Sequence, residues 1–181
     1  NIIKFKLELF PAFLEPEGLD YWKKIQNDFI AKYRDDEHVA TREIAKEILR
    51  SDSGIMLHDS QRILELLHEV GFSKAKQNFE TDDFGKKIAA YADMRVMPLA
   101  VEAMQRRLAD GRIRFIQKNK PFDQKHFDEM SEYLYKIENQ IFSRCSLKPS
   151  DITEEEVQKI ILKLRSVFHT QPNDQKDHLL H

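Results

Sequence analysis

Apolar residues recur at every third or fourth position along most of the chain, and this spacing is the feature that most constrains its fold. Only 5 glycines and 6 prolines interrupt the pattern, which favours helices joined by short loops over strands. We therefore predict an all-α fold, a compact multi-helix bundle. A chain of 181 residues with 41% hydrophobic residues can close one sizeable core, so one domain is expected.

Six helices are predicted after a lead-in over residues 1–18, which Pro11 and Pro16 would interrupt. Each begins at a residue whose side chain can accept a hydrogen bond from the first turn. Thr153 and Glu156 form the pattern of a capping box. Residues 171–181 are polar and without periodicity, so a frayed end is expected there. The predicted helices begin near Asp20, Asp36, Ser60, Asp82 or Asp83, Asp123 and Thr153.

The spacing of apolar residues predicts which face of each helix is buried. The aromatic face of the first helix, with Tyr21, Trp22 and Phe29, is expected to form core. A polar loop is predicted between Gly71 and Asp82. The helix after it is predicted to bury Phe84, Ile88, Tyr91, Ala92 and Val96, and the helix from Asp123 to bury Phe127, Met130, Leu134, Ile137 and Ile141.

Charge and cysteine content exclude several classes of protein. Lys and Arg number 29 against 31 Asp and Glu, and this near balance gives no general attraction to nucleic acid or to an anionic membrane. No stretch approaches the roughly 20 apolar residues that span a bilayer. The single Cys145 cannot form an internal disulfide and is expected to be buried or partly buried. A cytoplasmic location is predicted, and the arginines between Arg106 and Arg114 are predicted to form a solvated helix end.

Asp93 is the strongest single candidate for a functional residue. It follows Ile88-Ala-Ala-Tyr-Ala92, an almost entirely apolar stretch, and is therefore predicted to be buried. A buried carboxylate needs a partner or a metal ion. An ion pair with Arg95, or with a basic residue on a neighbouring helix, would satisfy it as well as a metal would.

Two histidines lie where helix packing could bring them towards Asp93. His38 opens one predicted helix and His68 ends another, while Asp93 lies on a third. Imidazole nitrogens and a carboxylate suit a divalent metal ion that activates water for attack on a phosphate. The alternative for either histidine is a surface residue or a hydrogen-bonded core residue.

Several segments resemble the later part of HD-domain metal-dependent phosphohydrolases. Tyr91-Ala-Asp-Met-Arg-Val96, preceded by Leu67-His-Glu-Val-Gly-Phe72, is similar to the segment that carries the final metal-binding aspartate of that family. Asn1-Ile-Ile-Lys-Phe5 resembles the segment after the His-Asp doublet in some members. Asp36-Glu-His-Val-Ala40 resembles the third histidine at the head of a helix. The resemblance covers roughly residues 1–110, and the family's first histidine and its His-Asp doublet would precede Asn1.

The resemblance implies a role for each candidate residue. Asp93 would bind the primary metal ion, and His38 and His68 would bind a second metal or donate hydrogen bonds to substrate phosphate. Lys4 would supply a phosphate-facing charge, with a solvated surface lysine as the alternative. Arg95 would contact phosphate, with a structural partner of Asp93 or of a helix end as the alternative. The implied cofactor is a divalent metal ion, and the implied substrate is a phosphate ester or nucleotide.

The resemblance also implies how the chain is organised. Residues 1–115 would form an HD-like helical domain that is incomplete at its amino end, and 116–170 would add helices to the same domain. The pair His58-Asp59 differs in position from the family's doublet, and Asp59 or Ser60 is predicted to cap a helix instead. The alternative function is a non-catalytic helical interaction or regulatory domain on an HD-like scaffold. If amino-terminal helices of the domain are absent from this chain, uncovered apolar faces would favour a homodimer or a bound partner.

Overall fold

The computed structural model describes residues 6–9, 11, 14–34, 36–51, 57–97, 100–117 and 122–169. The longest α-helix within these ranges has 19 residues, a length found in ordinary globular proteins. The α-helices are α1 (Leu19–Tyr33), α2 (Glu37–Ser51), α3 (Leu57–Glu69), α4 (Ala75–Glu80), α5 (Phe84–Asp93), α6 (Met104–Gln117), α7 (Gln124–Phe142) and α8 (Glu154–His169).

The fold is all-α, as predicted. The part of the chain that the structure describes contains no strand, and its one β-type pairing is an isolated antiparallel bridge between Val96 and Val101. Within the same ranges, none of the helices combines the length and apolar character that crossing a bilayer requires.

The chain divides into two compact units, Asn1–Glu69 and Val70–His181. The boundary between them lies between α3 and α4 and does not coincide with the predicted boundary near residue 115. Whether the two units make up one domain stays a prediction.

In the amino-terminal unit, α2 packs against both α1 and α3. Helix α2 begins at Glu37, close to the predicted start near Asp36. Asp36 caps it, because its Oδ1 accepts hydrogen bonds from the backbone N–H groups of His38 and Val39, each at 3.0 Å. Helix α1 begins at Leu19 after Gly18, whose φ of +83° suits glycine, so Asp20 lies in the first turn and does not cap it.

The aromatic face of α1 was expected to form core, and this expectation is wrong. No residue of α1 is buried, and Tyr21 is 48% exposed. Tyr21 instead meets the neighbouring Trp22 edge to face, with ring centroids 5.4 Å apart. Helix α1 therefore contributes only partly buried side chains to its unit.

In the carboxy-terminal unit, the long helix α7 packs against α4 and α5. Asp83 caps α5 and Asp123 caps α7, both as predicted, through hydrogen bonds of 3.3 and 2.9 Å to backbone N–H groups three residues later. The predicted apolar face of α7 forms much of the core. The buried core residues are Ala75, Tyr91, Met94, Met104, Leu108, Phe127, Met130, Leu134 and Ile137.

Three local predictions in this unit need correction. Helix α4 occupies a stretch that was predicted to be a polar loop, since its six residues are too few to show a period. The helix that begins after Asp83 ends at Asp93 and does not reach Val96. Cys145 is exposed, because it lies in the turn after α7 and not on a packed face.

Candidate functional site

Asp93 is the last residue of α5, and its side chain is exposed. The prediction that it is buried is therefore wrong. Helix α5 turns Lys87, Ala90, Tyr91 and Met94 towards the core, at the spacing of one helical face, and Asp93 lies off that face. Its carboxylate is thus presented at the carboxyl end of a helix, where the helix dipole is negative.

Arg95 is 5% exposed, and its guanidinium donates hydrogen bonds to four oxygen atoms of its own unit. Nε donates to Glu102 O at 2.5 Å and Nη2 to Ile152 O at 2.6 Å. Nη1 donates to the Tyr91 hydroxyl and, at 3.2 Å, to Pro149 O. Arg95 therefore connects the turn after α5 to the 3-10 helix Pro149–Asp151, which precedes α8.

This use of Arg95 corresponds to the structural alternative, in the form of a contact with a helix end. The hydrogen bonds involve three backbone carbonyl groups and one hydroxyl, not the carboxylate of Asp93. Phosphate binding by Arg95 stays a prediction, and none of these four bonds supports it.

Tyr91 connects Arg95 to a buried carboxylate. Its hydroxyl accepts a hydrogen bond from Arg95, and it is also under the electrostatic influence of Glu138, which is 8% exposed on α7. Burial raises the pKa of Tyr91 to about 12; Glu138 acts in the same direction, and Arg95 in the opposite one. The three side chains form a chain of alternating cation, hydroxyl and carboxylate, which suits a low-dielectric interior.

Arg107, on α6, is a basic residue whose charge interacts with that of Asp93. Burial first, and then the nearby Arg114, lower the pKa of Arg107, while Asp93 and Asp110 raise it. Its Nε is buried without a hydrogen-bond partner in the described ranges, and its Nη1 lies 3.7 Å from Asp110 Oδ2. Arg107 thus departs from the predicted solvated helix end, and it was not among the site residues that the sequence indicated.

The other arginines of α6 do lie on its surface, as predicted. Arg106 pairs with Glu102 at 2.9 Å, Arg114 pairs with Asp110 at 2.5 Å, and Arg112 pairs with Asp128 of α7. Exposed pairs of this kind contribute little stability.

His38 and His68 both belong to the amino-terminal unit. His38 lies in the first turn of α2 with its side chain 70% exposed, and its Nε2 is 3.9 Å from Glu37 Oε1. His68 lies in the last turn of α3 and is also exposed. Both positions agree with the predicted helix ends, while their metal- or phosphate-binding roles stay predictions. Lys4 lies outside the described residues.

The pair His58-Asp59 does not lie where the capping prediction placed it. Helix α3 begins at Leu57, so Asp59 is in its first turn and neither Asp59 nor Ser60 precedes the helix. A carboxylate in the first turn is still favourable, because it faces the positive end of the helix dipole.

The described residues do not by themselves assemble a metal site. Within these ranges there is no group of three or more His, Cys, Asp or Glu side chains that could hold a metal ion. In the carboxy-terminal unit, the charge of Asp93 interacts with that of Arg107. The divalent metal ion therefore stays a prediction, and its remaining ligands would come from outside this set.

Comparison with known proteins adds no relative. No family model, no curated protein and no solved structure matches the chain. The resemblance to HD-domain phosphohydrolases is consequently carried by the sequence segments alone.

Proposed function

We propose that this chain contributes Asp93 to a metal-dependent phosphohydrolase site of the HD type, which acts on a phosphate ester or nucleotide. The observation that carries the proposal is the exposure of Asp93 at the carboxyl end of α5. A carboxylate there is opposed by the helix dipole, and a bound cation would offset that cost. The guanidinium of the neighbouring Arg95 donates its hydrogen bonds to backbone oxygens of Glu102 and Ile152.

The remaining residues take the roles that the resemblance implies. For His38 and His68, which belong to the amino-terminal unit, the resemblance implies binding of a second metal or hydrogen bonds to substrate phosphate. For Lys4 it implies a phosphate-facing charge. Arg107 adds a half-buried guanidinium beside Asp93 that can bind a phosphate oxygen. A divalent ion at such a site polarises the phosphoryl oxygen and lowers the pKa of bound water.

The test compares Asp93→Asn with Asp28→Asn, a substitution of an exposed aspartate on α1. The protein is expressed with whatever residues its gene encodes before Asn1, and manganese-dependent hydrolysis of nucleoside monophosphates is measured. We expect Asp93→Asn to reduce the rate by about 100-fold or more, since even groups that only orient metal ligands contribute 10- to 100-fold. Asp28→Asn should retain the parental rate, and equal rates for both variants would refute the proposal.

A non-catalytic interaction domain is the second candidate, and exposed apolar side chains favour it. On α8, Ile160, Leu162 and Leu164 are 59%, 62% and 52% exposed, as expected of a helix that a partner or a second copy covers. The same experiment separates the two functions. An interaction domain requires that no metal copurifies and that Asp93→Asn leaves stability and association unchanged.

A further inference from the structure

The carboxy-terminal unit contains a cavity of about 390 Å³ at the amino end of α5. It lies where the end of α4, the start of α5 and the end of α7 meet. Asp93 is at the other end of α5, about 14 Å away at 1.5 Å per residue, so the cavity is separate from the proposed phosphohydrolase site. Its lining includes Phe79, Asp82, Phe84, Lys87, Gln140 and Arg144.

Lys87 is a buried ammonium group at this cavity. It is 6% exposed, and its Nζ donates to Phe79 O at 2.5 Å and to Gln140 Oε1 at 2.8 Å. Both acceptors are neutral, and no ion pair with a carboxylate joins Lys87 in the described part of the chain. A buried charge without a counter-ion is costly, and burial accordingly lowers the pKa of Lys87.

Arg144 is a second cation at the same cavity. Its guanidinium lies over the ring of Phe84, 4.5 Å from the centroid, and it makes no ion pair among the described residues. Its charge lowers the pKa of Lys87 further, while Asp82 acts in the opposite direction. Glu80 and Asp82 are the acidic residues of the lining, and neither is paired with either cation.

We propose that this cavity binds a small organic oxyanion, whose carboxylate or phosphate group lies between Lys87 and Arg144 and whose apolar body packs on Phe79 and Phe84. The anion is the counter-ion that both cations lack, and arginine forms bidentate hydrogen bonds with either group. The volume is within the range of small-molecule sites, which combine aromatic walls with a few polar groups.

The experiment measures binding by calorimetry with four probes: benzoate, phenyl phosphate, inorganic phosphate and benzyl alcohol. Benzoate or phenyl phosphate should bind more tightly than inorganic phosphate, which lacks the apolar body, and benzyl alcohol, which lacks the charge, should not bind. The tighter of the two aromatic anions identifies the group that the cavity prefers. Failure of both, or equal binding of benzyl alcohol, would overturn the proposal.

Three variants locate the binding. Lys87→Met and Arg144→Gln should each lower the affinity for the more tightly bound aromatic anion about tenfold or more. Such a loss is expected when one charge-assisted hydrogen bond is removed. Lys86→Met, which removes the adjacent positive charge outside the lining, should bind like the parent. Circular dichroism shows whether Lys87→Met folds. If it does not, Arg144→Gln still tests the site, because Arg144 is exposed and its replacement should not disturb the fold. Unchanged affinity in Arg144→Gln would place the anion elsewhere.

Discussion

Arg95 and Lys87 are both buried cationic residues of the carboxy-terminal unit, 5% and 6% exposed, but their hydrogen-bond acceptors differ. Arg95 has four oxygen acceptors and is connected through Tyr91 to the buried carboxylate of Glu138. Lys87 has two neutral acceptors and faces a cavity. We infer from this contrast that Arg95 is structural, because the fold satisfies its guanidinium, whereas Lys87 can still pair with the anion of a ligand.

The largest effect that this comparison predicts comes from removing Arg95. Arg95→Met would remove the guanidinium that donates to the carbonyl groups of Glu102, Pro149 and Ile152 and to the Tyr91 hydroxyl. We expect a loss of about 3–5 kcal/mol in the free energy of unfolding, measured by urea denaturation. The matched control is Arg106→Met, which removes an exposed ion pair and should cost less than about 1 kcal/mol. Similar losses of unfolding free energy in both variants would show that the buried hydrogen bonds of Arg95 do not stabilise the unit more than an exposed ion pair does.

The reach of sequence-based prediction depends on how far apart the interacting residues lie. The caps at Asp36, Asp83 and Asp123 involve residues two or three positions away, and local pattern was sufficient for them. The partners of Arg95 lie up to 57 residues away, and Gln140 is 53 residues from Lys87. No local rule could pair them.

The buried face of α5 shows the same limit. Periodicity assigned Ile88 to the core, yet Ile88 is 47% exposed and Lys87, one position earlier, is buried. The error arises because a rule based on hydrophobicity cannot place a lysine inside, although its acceptors on α4 and α7 allow it. Because the buried face of α5 differs from the predicted one, Asp93 is also exposed and not buried. The sequence thus predicted the wrong environment for Asp93, which is exposed, and it did not indicate Arg107 or Lys87.

A smaller effect should appear at alkaline pH, through Tyr91. Its pKa is raised from 10.0 to about 12, so the folded chain holds the phenol proton more tightly than the unfolded chain. That stabilisation is complete below pH 10 and is lost as the pH rises towards 12. Between about pH 10 and 11, Tyr91→Phe should therefore lose roughly 1 kcal/mol less stability than the parent.

Denaturant unfolding on both sides of this pH interval measures the difference. Tyr135, whose pKa burial also raises, will leave part of the alkaline loss in the variant. Lys87 acts in the other direction, because its lowered pKa makes stability increase with pH up to 10.5. Tyr21→Phe, on an exposed ring of α1, is the control and should follow the parent. A parental pH profile for Tyr91→Phe would contradict the assignment of the network.

The smallest effect comes from giving Lys87 the counter-charge that Arg95 already has. Gln140→Glu places a carboxylate where the amide oxygen now lies, 2.8 Å from Lys87 Nζ. The charged hydrogen bond should raise the pKa of Lys87 and add about 0.5–1 kcal/mol to the free energy of unfolding near pH 7. Gln140→Glu should also abolish the binding of benzoate measured by calorimetry, because the new carboxylate occupies the position that the carboxylate of benzoate would take. Gln140→Met, which removes the acceptor without adding charge, should destabilise the chain while still binding benzoate. Undiminished benzoate binding by Gln140→Glu would show that the anion does not bind as the counter-ion of Lys87. The difference between Lys87 and Arg95 would then have no bearing on ligand binding.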